Sequence, residues 1–174
     1  MSAERIVRMG NYVIDTNVLV IVEDISNANW LECAEACTQI LNKIEEHGRI
    51  LLDNRWFILG EYIRNLTHNG QPGLGNAFLK WIFENQGNDS FCRFLSITPS
   101  ITPNGPGDDA FLEFPSDSEL STFDRADRKF VAVALASNLN PYILNATDSD
   151  WWDHRNALES NGLRIIFLCP YLFR

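Results

Sequence analysis

Four short apolar runs punctuate the chain: NYVID at 11–15, RILLD at 49–53, YILNA at 142–146 and RIIFLC at 164–169. None alternates cleanly between apolar and polar positions, which is the pattern of strands buried on both faces of a parallel sheet. FCRFLSIT at 91–98 is a weaker fifth candidate. The stretches between them repeat at helical spacing. Over 29–47, Trp30, Ala34, Cys37, Leu41 and Ile44 fall on one stripe, with Gly48 placed to end the helix. Over 54–66 the stripe is Trp56, Leu59, Ile63 and Leu66. FDRADRKFVAVALAS at 123–137 has a strand-like V-A-V-A alternation, but its charged first turn and its alanines favour a helix packed closely on a sheet. A last helix is expected over 151–161, followed by Gly162.

Strand and helix alternate in this order, which predicts an α/β fold whose mainly parallel sheet is covered on both faces. Two stretches interrupt the alternation. Residues 69–76 hold three glycines and a proline, and residues 99–118 hold four prolines and two glycines. A chain of 174 residues can bury about 70% of its surface, enough for one core, and no boundary divides it. A single domain over 1–174 is expected.

Composition then narrows the function. Fourteen basic residues against 23 acidic ones leave a net charge of −9, so the overall field repels nucleic acid. A role on RNA or DNA requires a local basic patch or metal ions that neutralise the protein's own carboxylates. No apolar run reaches the ~18 residues of a membrane span, and MSAERIVRMG carries no signal-like stretch, so a cytoplasmic location without membrane contact is expected. Cys33, Cys37, Cys92 and Cys169 form no C-x-x-C pair, and His47, His68 and His154 have no zinc spacing. The cysteines read as reduced, buried core residues.

Several carboxylates stand out of place. Asp15 ends the first strand, where an open α/β sheet binds its ligands. The alternative role is a cap on the following helix. On a helical wheel Asp127 lies among Val131, Ala134 and Phe130, while Arg125, Arg128 and Lys129 fill the opposite arc. A carboxylate inside an apolar stripe must be paired, hydrogen-bonded or metal-bound. Asp124 faces much the same way. Asp148 follows the YILNA strand and Asp150 opens the next helix; either can cap it. Glu61 lies off its helix's apolar stripe and gains meaning only if that helix flanks Asp15. Three or four carboxylates gathered at one end of a sheet suit Mg²⁺ or Mn²⁺.

The ordered set VIDTNVLV around Asp15, LGEYIRNL around Glu61, DRKFVAVALA opening with Asp127, and NATDSDWW around Asp148 resembles the PIN-domain family of metal-dependent nucleases, which includes many bacterial toxin ribonucleases. The resemblance spans nearly the whole chain. It implies a three-layer α/β/α fold with a central, mainly parallel five-stranded sheet. It implies an acidic catalytic site of Asp15, Glu61, Asp127 and Asp148, with Asp15, Asp127 and Asp148 holding Mg²⁺ or Mn²⁺. Asn17 follows as a supporting polar residue, and Asp124 and Asp150 as additional candidates. The implied activity is endoribonuclease cleavage of a phosphodiester, leaving 5′-phosphate and 3′-hydroxyl ends.

That family role brings single-stranded RNA as substrate, an antitoxin protein as candidate partner in a toxin–antitoxin pair, and a homodimer as candidate assembly. Arg55, Arg64, Trp151 and Trp152 are the residues available for phosphate contacts and base stacking; the alternative places the tryptophans in the core. Two other functions compete: a catalytically weak PIN-like binding or scaffold module, and another Mg²⁺-dependent phosphohydrolase. The sequence lacks the D-x-D-x-T, Walker and G-x-S-x-G patterns of the familiar hydrolase classes.

Overall fold

The computed structural model describes residues 10–66, 71–100 and 110–174. Part of each interrupting stretch, 69–70 and 101–109, lies outside them. Strands β1 (Asn11–Ile14), β2 (Arg49–Asp53), β3 (Cys92–Leu95), β4 (Tyr142–Asn145) and β5 (Arg164–Phe167) form one sheet in the order β3-β2-β1-β4-β5. Every neighbouring pair is parallel. All five expected strands are therefore present, and the sheet is wholly rather than mainly parallel. Helices flank it, giving a three-layer α/β/α fold.

The helices are α1 (Thr16–Glu23), α2 (Leu31–His47), α3 (Phe57–Leu66), α4 (Leu74–Asn85), α5 (Arg128–Ala136), α6 (Ser149–Asp153) and α7 (Arg155–Ser160). Helix α1 packs on α2, α3 and α4, and α5 packs on β1, β2 and β4. The chain first winds from β1 outward to β3, then crosses to the far side of β1 for β4. Because parallel crossovers are right-handed, that reversal places the later helices on the opposite face and opens a crevice beyond the carboxyl ends of β1 and β4. The buried apolar residues of both layers join into one cluster, from Val13 and Leu51 in the sheet to Cys37, Phe78, Phe130 and Trp151 in the helices.

Four expectations change in detail. The glycine-rich 69–76 stretch leads directly into α4 instead of remaining a loop. A Cβ on Gly73 would stand 2.0 Å from the Glu23 carbonyl oxygen, and one on Gly75 2.5 Å from that of Leu19. The glycines are there to let α4 touch the α1 backbone. Glu23 closes the junction by accepting from the Gly73 and Asn76 backbone N–H groups at 2.7 and 2.6 Å.

Helix α3 starts later than expected and buries Ile58, Leu59, Tyr62 and Leu66, leaving Trp56 outside it and exposed. The last helix breaks at His154 into α6 and α7. Finally, Cys33 and Cys169 form a disulfide rather than two thiols, tying α2 to the C-terminal turn; Cys37 and Cys92 are buried thiols, as expected. The sequence separation of 136 between the paired cysteines hides that contact from any local spacing rule.

Candidate metal centre

Three carboxylates converge in the crevice. Asp15, Asp127 and Asp148 each bring an oxygen within 4.8 Å of the others. Asp15 follows β1, Asp148 follows β4, and Asp127 enters from the 3₁₀ turn Arg125–Asp127 that leads into α5. The first two thus flank the point where strand order reverses, and the third hangs over it.

Asp15 and Asp127 both stand at helix N-caps, the position at which an Asp ordinarily bonds a backbone N–H. Neither makes a capping hydrogen bond. A missed cap costs about 1 kcal/mol. The cost here is larger, since both side chains are buried, at 3% and 7% exposure, and Oδ2 of each lacks any hydrogen-bond partner. Asp148 serves two purposes: its Oδ1 accepts from the Asp150 N–H at 2.9 Å, capping α6, while the carboxyl also meets Asp127. Capping and site roles, alternatives in the sequence, coincide in this one residue.

Electrostatics follow from burial. Desolvation, then the charges of Asp148 and Glu61, push Asp15 from 3.8 up to about 7. Desolvation, then Asp15 and Asp148, push Asp127 up to about 9. Carboxyls held that far above their ordinary range have too little positive charge around them. A hard divalent cation, taking oxygen ligands, is the species that relieves both the charge and the orphaned oxygens. The three residues fit such an ion.

The other expected residues surround this group. Glu61 accepts from Thr16 Oγ1 at 2.6 Å and pairs with the Lys129 ammonium. Its place is set by Tyr62, the next residue, whose hydroxyl donates to the Ile14 carbonyl and pins α3 to the end of β1. Asn17 donates to Asn145 Oδ1 at 2.9 Å and accepts from the Ala146 N–H at 2.8 Å. Asn145, fully buried, in turn donates to the Asp148 carbonyl at 3.1 Å. Asn17 therefore positions Asp148 through Asn145. Asp124 and Asp150 bond elsewhere. Asp124 Oδ1 accepts from the Ala126 N–H, while Asp150 Oδ2 accepts from the Asp124 N–H and its Oδ1 lies 3.1 Å from His154 Nδ1. Neither joins the three-carboxylate group among the described residues.

Lys129 departs from expectation. The wheel puts it on a solvated arc with Arg125 and Arg128, yet it is buried, with its ammonium on Glu61 and 4.8 Å from the Phe130 ring centroid. Trp151 also departs from the stacking role considered for it: it is fully buried, edge-on to Phe123. Trp152 stacks on Phe173 and under the Arg155 guanidinium. Lys129 and Asn145 are the functional residues that sequence reasoning misses; an Asn at the end of a fully apolar strand was the available signal for the second.

Comparison with known proteins finds no matching family model, no matching curated protein and no matching solved structure.

Proposed function

We propose that the protein is a metal-dependent endonuclease that hydrolyses RNA phosphodiester bonds. The observation that carries this reading is the pair of buried, partnerless oxygens on Asp15 and Asp127, facing Asp148 at the switch point of a parallel sheet. Asp15, Asp127 and Asp148 would hold Mg²⁺ or Mn²⁺. Such an ion, when bound, supplies charge for the phosphodiester and acidity for the attacking water.

The chain's own residues do the rest. Asn17 and Asn145 hold Asp148 in register, and Thr16 and Lys129 fix the Glu61 carboxylate beside Asp15. The Lys129 ammonium is a fixed cation next to the acids, able to attract a phosphate's charge as it builds in the transition state. Glu61 is the carboxylate left to orient or deprotonate water, because three other acids serve the ion.

The test is cleavage of a labelled single-stranded RNA with Mn²⁺, with Mg²⁺ and with EDTA, alongside calorimetric metal binding. Cleavage and metal binding both lost in a folded Asp15→Asn protein is the expected result. Cleavage that survives EDTA or the Asp15→Asn change would refute the assignment. Metal binding without cleavage of any RNA or DNA would leave the ion site standing and remove the nuclease role.

A further inference from the structure

Beside the carboxylates, and sharing Glu61 and Lys129 with them, opens a pocket of about 300 Å³. Its walls are of a different kind: Trp56, Phe57 and Phe111 on the aromatic side, Arg64, Arg125 and Lys129 on the basic side. Phe57 and Phe111 pack edge to face at 5.5 Å and form its floor. In a protein of net charge −9, three cations against the single carboxylate of Glu61 leave this pocket net positive, the local basic patch that nucleic-acid binding requires here.

Trp56 is held in this pocket at a cost. Its backbone φ is +63°, the left-handed region that bulky residues avoid, and 46% of its surface remains exposed. The turn that forces this conformation is tightly built. Asp53, fully buried at the end of β2, accepts from the Arg55 and Phe57 N–H groups through Oδ2, both at 3.0 Å, and from the Ile58 N–H through Oδ1 at 2.9 Å. This strained turn presents a large ring to solvent, and among the described residues the ring contact of Trp56 is a tilted one with Phe83.

We propose that this pocket is a subsite for one nucleotide of a single strand next to the cleaved phosphodiester, its base stacked on the Trp56 ring and its phosphate met by Arg125 and Lys129. The proposal rests on the nuclease reading for the position of the cut, but not for the binding itself. Stacking on an exposed indole suits any unpaired base and excludes bases already stacked in a duplex.

The experiment is fluorescence anisotropy of end-labelled ten-nucleotide oligouridine and oligodeoxythymidine at low salt in EDTA, where nothing is cleaved. The proteins are wild type, Trp56→Asn, Trp56→Phe and Arg125→Ala, each with a melting curve. Asn tolerates the left-handed backbone, so Trp56→Asn should keep or raise the melting midpoint. It should weaken binding ~10-fold or more, while Trp56→Phe stays within about 3-fold of wild type. Arg125→Ala should reduce the slope of log affinity against log salt by about 0.7. The two oligomers differ in the sugar and in the C5 methyl of the base, so their comparison reads both together. Wild-type protein that binds neither strand, or Trp56→Asn protein that binds as tightly as wild type, overturns the subsite. Trp56-dependent binding in a protein without metal-dependent cleavage upholds the subsite and refutes the nuclease; cleavage with Trp56-independent binding does the reverse.

Discussion

Without its ion the protein should lose stability as pH rises through the neutral range, against the usual behaviour of carboxylates. Burial, then Asp148 and Glu61, push Asp15 up to about 7; burial, then Asp15 and Asp148, push Asp127 up to about 9. The folded state therefore binds protons that the unfolded chain, with carboxyls near 3.8, has already released. Stability then falls with pH between about 4 and about 9. Moving Asp15 alone from 3.8 to about 7 corresponds to an unfavourable ionisation on the order of 4 kcal/mol. The Asp127 value is not added, because its position already contains the charge of Asp15. For a chain of this size ~4 kcal/mol is roughly 8–16 °C in melting midpoint. Glu45, raised from 4.5 by burial and then by Glu46, acts in the same direction at the acid end of this window, and three further acids act below it. Asp24, Asp89 and Asp117 are held below 3.8 by hydrogen bonds, so their contribution is complete above that pH and lost only below it.

The assay is a series of calorimetric melts from about pH 5 to about pH 9, in EDTA and in excess Mg²⁺. In EDTA the midpoint should fall by roughly 10 °C. Excess Mg²⁺ should flatten or reverse the fall, since ligation requires the ionised carboxylates and stabilises the folded state by mass action. Asp15→Asn should reduce the slope, leaving the part that burial of Asp127 carries. A metal-free midpoint that is level or rises across this range would falsify the claim that these acids are buried without compensating charge.

Three further outcomes follow from particular contacts. Lys129→Met leaves Glu61 unpaired beside Asp15 and should cost ~2–3 kcal/mol, less than a fully buried pair because the Glu61 side chain keeps 20% exposure; urea melts should show Lys129→Met/Glu61→Gln recovering most of that loss. Reduction of the Cys33–Cys169 disulfide, or its replacement by a serine pair, should lower stability by roughly 2–5 kcal/mol, read as a drop in melting midpoint, and unchanged melts would show that the bridge is absent in solution. Cys37, beside it, should not exchange into the bridge readily, because burial pushes its thiol up to about 12. Gly73→Ala must drive a Cβ into the Glu23 backbone and should cost about 1–3 kcal/mol in urea midpoint, with no effect if α4 is free to move from α1.

The strands were legible because burial on both faces leaves continuous apolar runs, and Asp127 because a carboxylate among Phe130, Val131 and Ala134 breaks an apolar stripe. Lys129 was not legible for a related reason. A helical wheel assumes one solvent face, but Lys129 to Ala134 are all buried, so α5 is covered nearly all round and the long lysine stem is enclosed with the core. Trp56 was assigned to a helical stripe because nothing local shows that Asp53 delays the helix until Phe57. Helix α4 was left unassigned because the glycines at its start, read as an interruption, serve a close approach to α1 that only the folded chain reveals. Long-range pairing, as in Cys33–Cys169 and Glu61–Lys129, is the common element of what the sequence withheld.

Lys129 also connects the two halves of the crevice. Its ammonium neutralises Glu61, so one acid is removed from the charge that an ion must balance, and a single divalent cation leaves the remaining three with one negative charge in excess. The same side chain lines the aromatic pocket. A phosphate arriving there would draw on the ammonium that now holds Glu61, loosening that carboxylate toward Asp15. The rise in negative charge on the acid side would tighten the hold on a cation just as substrate enters. Metal and nucleotide binding are therefore expected to reinforce each other through this one residue, and thermodynamic linkage requires the effect to be equal in both directions. Calorimetric Mg²⁺ titrations with and without oligonucleotide, in wild type and in Lys129→Met, should show a coupling that disappears with the lysine; equal Mg²⁺ affinity under both conditions in the wild type would mean that the two sites act independently.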